Sequence, residues 1–346
     1  MVGPGLSVKG GVSSVERLLH QHVDQKRVRL TQFSTTFDHS RVVKLIHGLL
    51  CWLLFPFIVL IKRPKIVHIH FASRGSTWRK LPIALWSRIL LRRVILHCHG
   101  AEYQTFFNNS KGLKRRLIRL FLRLSSTMIV LSDEWSRFFK EDVALEKVPV
   151  HVMKTPVKPP EISPKQSTSP FILSFSGRIG RRKGVWDLLD AIALLKERGV
   201  ENHRLVVTGD GEVEKAHHLV LEKGLQEIVE IHGWLPLDSF QELREKASIF
   251  ILPSFDEGLP MAMIEAMSLG QIPITTSVGG IPDVIEDGSN GLLVEPGNPS
   301  SIAAAIEQLI TDEVLREHLS EAALATSREH DIDDYVVRLS DLYSAA

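Results

Sequence analysis

Short apolar runs recur at near-regular intervals along this chain, and helical periodicity fills one of the gaps between them and recurs after the last. In the first half the runs are Ile66–His70, Val94–His97 and Thr127–Leu131. In the second they are Phe171–Ser174, Leu205–Thr208, Glu230–His232, Ile249–Leu252 and Ile272–Thr275. Val185–Glu197 and Ile302–Ile310 carry apolar residues at helical spacing. Short apolar strands alternating with amphipathic helices predict an α/β chain whose parallel sheets are covered on both faces.

The alternation breaks once. Residues 154–170 hold five prolines and no apolar period, which predicts a linker. The expected layout is a domain over residues 1–153, the linker over 154–170, a second domain over 171–330, and a terminal helix within 331–346. Two doubly wound domains would face each other across a ligand cleft. The 346 residues suffice for two such cores. Val2-Gly3-Pro4-Gly5 resembles the end of a first strand running into a glycine loop, so that strand is expected to be short or the chain to begin late.

The net charge of +2 conceals a division. Residues 1–150 carry 25 Lys+Arg against 9 Asp+Glu, whereas the remainder is acidic. Such asymmetry points to two surfaces with different partners. Within the basic half, Arg41–Ile61 is almost continuously apolar, close to the length of a spanning helix, and is expected to be a buried or membrane-dipping helix. Lys111–Arg123 reads as a basic amphipathic helix, equally suited to anionic lipid or to a solvated face over a core stripe. Its cations interleave with Leu and Ile more than with stacking aromatics, so nucleic acid is not an expected partner. Cys51 and Cys98 form no metal-type spacing or disulfide framework and fit a reducing compartment. No secretory leader is legible after Met1.

Chemistry concentrates in loops after strands. Ser254–Met267 follows the strand Ile249–Leu252; Gly258 permits a tight turn and Pro260 suits a helix start. That puts Glu257 beside a helix N-terminus, where free N–H groups attract phosphate, and Glu265 further along the helix. The two carboxylates suit hydroxyl groups better than phosphates. Read locally, the segment is equally a capped helix with a surface glutamate. Gly177-Arg178 through Lys183-Gly184 follows Phe171–Ser174; its permanent cations could clamp a diphosphate, or form an ordinary basic loop.

Together these motifs resemble glycosyltransferase family 4, retaining enzymes of the GT-B fold. Glu257 and Glu265 are spaced as that family's E-x7-E pair, flanked by Pro-Ser, Glu-Gly-Leu-Pro and Glu-Ala-Met. The resemblance implies that Glu257 contacts donor-sugar hydroxyls and Glu265 the nucleotide ribose. It implies that Arg178 and Lys183 neutralise the leaving diphosphate, and that Gly177, Gly209, Gly211, Gly258, Leu259 and Pro260 line the donor. Gly10-Gly11 looks like the family's N-terminal glycine loop, whose backbone the resemblance implies approaches the donor phosphate and sugar. His97-Cys98-His99-Gly100-Ala101-Glu102 looks like its H-G-x-[DE] stretch, with His99 near the sugar or acceptor and Glu102 a candidate acceptor contact. His68, His70 and His97 read as structural. Trp234, in the segment resembling the family's F-x-G, stacks on a base or packs in the core, and packing is preferred. The terminal helix resembles one that packs back on the first domain.

The implied activity is a hexosyl-type transfer, with retention, from a nucleotide sugar to a glycan or lipid-linked acceptor in polysaccharide, lipopolysaccharide or glycolipid synthesis. No cofactor and no metal are expected: the D-x-D pattern Asp331-Ile332-Asp333 lies away from any strand end. The expected location is cytoplasmic, peripheral at the inner face of an anionic membrane. Alternatives are a sugar-nucleotide epimerase, a phosphorylase, or a non-catalytic GT-B partner that binds a glycan or a complex.

Overall fold

A computed structural model describes residues 1–37, 39–160 and 170–345. The chain divides into two compact units, Met1–Pro156 with Ile332–Ala346, and Val157–Asp331. Each is built on a parallel six-stranded sheet.

The first unit's strands are β1 (Val2–Gly3), β2 (Phe33–Ser34), β3 (Ile66–Phe71), β4 (Arg93–Cys98), β5 (Thr127–Val130) and β6 (Val150–Val152), in the order β2-β1-β3-β4-β5-β6. Its helices are α1 (Gly11–His22), α2 (Arg41–Lys62), α3 (Gly75–Ile89), α4 (Tyr103–Asn108), α5 (Gly112–Arg123) and α6 (Asp133–Glu141). The central strands are buried on both faces, which is why they read as unbroken apolar runs. Beneath them, Phe71 meets Tyr103 and Phe121 edge-on at 5.2 Å each, the arrangement aromatic quadrupoles prefer.

The second unit contains β7 (Phe171–Ser176), β8 (His203–Thr208), β9 (Val229–His232), β10 (Ile249–Leu252), β11 (Ile272–Thr276) and β12 (Leu292–Val294), in the order β12-β11-β10-β7-β8-β9. Its helices are α7 (Val185–Glu197), α8 (Val213–Glu222), α9 (Leu237–Lys246), α10 (Met261–Ser268), α11 (Pro299–Thr311) and α12 (Glu313–Ser327). The last helix, α13 (Ile332–Ala345), belongs to the first unit and packs on α1.

Several details depart from the sequence reading. β2, β6 and β12 are strands of two or three residues, too short to leave a periodic signal. β1 has two residues; what it lacks in length it gains in register, with Val2 opposite Phe33 on one side and Ile69 on the other. Not all of 154–170 is exposed linker: Thr155, Pro156 and Val157 are buried, and the Val157 amide donates to His330 O at 2.8 Å. The unit boundaries accordingly fall at 156/157 and 331/332, not at 153 and 330. The part of the expected linker at 161–169 lies outside the described residues.

Candidate functional site

In an open parallel sheet, ligands bind beyond the carboxyl ends of the strands where the strand order reverses. In the second unit that point lies between β7 and β10, because β8 continues to one side of β7 and β10 lies on the other. The loop after β7 carries Arg178 and Lys183, and the loop after β10 carries Glu257. The topology thus brings together residues 74 positions apart.

Lys183, at the end of a 3-10 turn over Arg181–Lys183, forms an ion pair with Glu257 Oε1. Ser254 Oγ donates to the same oxygen at 2.7 Å. Both charged side chains are largely withdrawn from water, 14% and 6% exposed, so the pair is less screened than a surface one. Arg182, which the sequence left without a role, fastens the two loops. Its Nη1 donates to Asp256 O at 2.7 Å, and its carbonyl accepts from the Phe255 amide at 2.9 Å. Gly184 allows the approach: its φ is +69°, and a Cβ there would stand 2.0 Å from Pro253 O.

A third loop, after β11, was missed in the sequence. Gly280 N donates to Gly258 O at 2.6 Å, and a Cβ on Gly279 would lie 1.9 Å from Glu257 O. The available signal was the glycine pair that follows an apolar strand after two intervening residues. Gly258, Leu259 and Pro260 are buried beneath these contacts. α10 starts at Met261, so Pro260 precedes the helix where the sequence had placed it in the first turn. No side chain caps this end, which leaves its first amides available for an anion.

Glu265 projects from α10 into a pocket it shares with Ser176, Thr208, Phe240, Arg244 and Ala262. Arg244, another residue the sequence did not single out, holds Glu265 Oε2 at 3.2 Å. Ser176 and Thr208 end β7 and β8, so this pocket borders the same carboxyl edge. Arg178 is exposed, with a loose 3.9 Å contact to Asp210. Gly177 and Gly209 touch backbone to backbone, as do Gly211 and Ile179. Trp234 is 52% exposed, which corrects the expectation that it packs in the core.

The first unit places its sequence-derived residues separately. Its reversal point lies between β1 and β3. Gly10 is the N-cap of α1 and Gly11 its first residue, with open space where a Cβ would point on either. His99, just past β4, is linked to His70: His70 Nδ1 and His99 Nε2 lie 2.8 Å apart. His68, His70 and His97 form a buried stack that the half-buried His99 extends, and His68 Nδ1 meets the Tyr343 hydroxyl of α13 at 2.6 Å. Burial holds all four rings neutral. His68, His70 and His97 lie well below the usual imidazole range, and His99 is pushed down to about 3 by burial and by the Lys80 charge. His99 can therefore exchange hydrogen bonds with a ligand but is a weak base at neutral pH.

Three of these rings, His68, His70 and His97, bring one nitrogen each within 4.8 Å of the others. Their planes are stacked at 13° to 38°. A bound cation lies in the plane of each imidazole it joins, so this arrangement suits stacking more than shared ligation. Glu102, the candidate acceptor contact, is paired with Arg74 at 3.2 Å.

Residues 159–326 match the family model described as glycosyl transferases group 1. The chain is 29% identical over 236 residues to the putative colanic acid biosynthesis glycosyltransferase WcaL of Escherichia coli, covering 64% of this chain and 54% of that protein. It is 32% identical over 176 residues to the putative glycosyltransferase EpsD of Bacillus subtilis, covering 51% and 45% respectively. The chain thus spans about half the length of these curated relatives. Among solved structures, HepE from Anabaena, in complex with UDP and glucose, superposes with a TM-score of 0.78 over 100% of this chain and 99% of its own, at 17% identity. The lipopolysaccharide outer core galactosyltransferase WaaB, in its apo form, gives 0.70 over the same shares at 18% identity. At such identities the likeness is one of fold, that of the GT-B glycosyltransferases. The site built around Lys183, Glu257 and Glu265 falls wholly inside residues 159–326, the segment that matches the group 1 glycosyl transferase model.

Proposed function

We propose that this protein transfers a sugar from a nucleoside diphosphate sugar to an acceptor hydroxyl, with retention at the anomeric carbon. The observation that carries the reading is the Lys183–Glu257 pair beside the uncapped N-terminus of α10. A diphosphate needs positive charge as it departs, and a sugar needs acceptors for its hydroxyls. The pair offers both within one contact. Lys183, the exposed Arg178 and the first amides of α10 would stabilise the leaving diphosphate, the task a metal performs in other transferases. Glu257 would accept from sugar hydroxyls. Glu265, in the pocket with Phe240 and Arg244, would accept from the ribose.

The proposed acceptor is a lipid-linked or polysaccharide precursor, handled by the basic first unit at an anionic membrane surface on the cytoplasmic side. The relatives support this direction, since WcaL is named for colanic acid biosynthesis. Gly10–Gly11 would approach the donor phosphate and sugar, His99 the sugar or the acceptor, and Glu102 would lie on the acceptor side.

The test is a thermal-shift screen of UDP-, GDP- and ADP-sugars, beginning with UDP-glucose. A matching donor stabilises the native state by mass action, about 2.7 kcal/mol at a hundredfold excess over Kd. One donor should raise the melting temperature and lose that effect in Glu265→Ala. A screen in which no nucleotide sugar shifts the transition would refute the reading.

A further inference from the structure

The apolar helix α2 poses a problem the transfer reaction does not explain. Only 24% of its most apolar stretch is buried. One stripe, Gly48, Cys51, Phe55 and Val59, faces the unit's core, and Phe55 meets Phe33 edge-on at 5.1 Å. Trp52 Nε1 fixes the helix laterally by donating to Arg79 O of α3 at 2.9 Å. The rest of the surface is exposed and still apolar: Ile46, Leu50, Leu53, Leu54, Phe57 and Ile61 stand 49–76% exposed. A continuous apolar face of this length is unusual on a soluble surface.

The face continues onto α3. β3 and β4 pair Ile66 with Arg93, and the Arg93 amide donates to Lys65 O at 3.3 Å. The segment after α2 and the segment after α3 therefore reach one edge of the sheet. There Trp86, Ile89 and Leu91 are exposed, Leu91 by 91%. Cations ring this edge: Lys62, Arg63, Lys65, Arg88 and Arg93 are all exposed. Between Arg41 and Leu124 the sequence has 17 Lys+Arg, and Glu102 is its only carboxylate.

We infer that α2 and the C-terminal end of α3 form a monotopic membrane anchor. α2 lies in the plane of an anionic leaflet, with its outward residues in the acyl region and the cations at the phosphate level. Spanning is disfavoured because the Cys51–Phe55–Val59 stripe is committed to the protein core along most of the helix. A symmetric contact with a second copy would set the same cations against each other, whereas anionic lipid satisfies apolar face and cationic rim together. The inference rests on the reading that the enzyme works at a membrane, and is independent of sugar transfer.

The test is flotation with vesicles of phosphatidylcholine alone and of phosphatidylcholine containing phosphatidylglycerol. It would use the full chain and the doubly substituted L53N/F57N and R63E/R93E proteins. A Leu54→Cys protein carrying a polarity-sensitive fluorophore gives a second readout that removes no core contact. The wild type should float with the anionic vesicles, and both double variants should lose about tenfold or more of that partitioning. The label should shift to the blue on vesicle addition and lie within reach of bromine-labelled acyl chains. Flotation unchanged in L53N/F57N, or an unshifted label on protein that floats, would overturn the anchor while leaving membrane association intact. A wild type that does not float would overturn both, and the donor-induced thermal shift would show whether the transfer reading survives. Loss of self-association in L53N/F57N without vesicle binding by the wild type would assign the face to a second copy instead.

Discussion

Lys183 and Glu257 are joined in an ion pair across the point where the strand order of the second sheet reverses, and Ser254 donates to the same carboxylate oxygen. The pair is the charge of the proposed site in its resting form. Replacing Lys183 by Ala should lower kcat by about 10²–10³-fold, the usual cost of removing one preorganised donor from a charged transition state. It should also lower stability, because Glu257 would stay buried without its partner. Glu257→Gln should lower turnover and cost less stability, since the amide oxygen still accepts from Lys183 and Ser254. Steady-state kinetics with thermal unfolding of each variant check both halves.

Arg244 holds Glu265 within the pocket at 3.2 Å. If Glu265 accepts from the ribose, Glu265→Ala should weaken donor affinity by about 10- to 100-fold, the range for hydrogen bonds to a charged group. Arg244→Ala should weaken it less, since the carboxylate remains but is no longer oriented. Calorimetric titration of the donor identified by thermal shift would show this; equal affinity in all three proteins would place the ribose elsewhere.

Gly279 has φ +56° and its missing Cβ would fall 1.9 Å from Glu257 O. Gly279→Ala should therefore force the loops after β10 and β11 apart. A destabilisation above about 1 kcal/mol is expected, seen as a drop of a few degrees in Tm, together with weakened donor binding. Gly297→Ala is the control: its nearest neighbour is the Phe255 ring at 3.3 Å, not backbone.

The histidine stack gives the first unit a pH dependence. His68, His70, His97 and His99 all titrate below their ordinary value of 6.5, His99 at about 3. A depressed native pKa means that the unfolded chain takes up protons first. The stability from these rings is complete above pH 6.5 and is lost as pH falls below it, for His99 down to about 3. Buried Lys80, lowered to about 7, adds stability that is present at alkaline pH and lost as pH falls through 7. Buried Glu16, raised to about 7, works in the opposite sense and favours the native state at low pH. Four rings outweigh one carboxyl, so urea midpoints should fall between pH 6.5 and 5. Both His97 ring nitrogens are buried without a hydrogen-bond partner. His97→Leu should flatten the slope by about one proton.

The sequence carried the strand-loop grammar of this protein well. Arg178, Lys183 and Glu257 were legible because each directly follows an apolar strand, and that local order survives in the fold. Their direct pairing was not legible, since contact between residues 74 apart depends on which strands become neighbours. Arg244 was hidden because it sits on an ordinary amphipathic helix, where periodicity reveals a face and not a partner. Trp234 was misread because an aromatic after a strand looks like core until the surrounding surface is known. The apolar character of α2 was plain, but its single buried stripe is set by Phe33 and Arg79, residues outside the helix.

The central claim is that the Lys183–Glu257 site parts a sugar from a nucleoside diphosphate. It is tested most directly by nucleoside diphosphate release from the stabilising donor, measured with acceptor extract present for wild type, Lys183→Ala and Glu257→Gln. The account predicts steady release by the wild type and a rate about 100-fold or more lower in both variants. Equal release from all three proteins, or none from the wild type with any donor that binds, would contradict it.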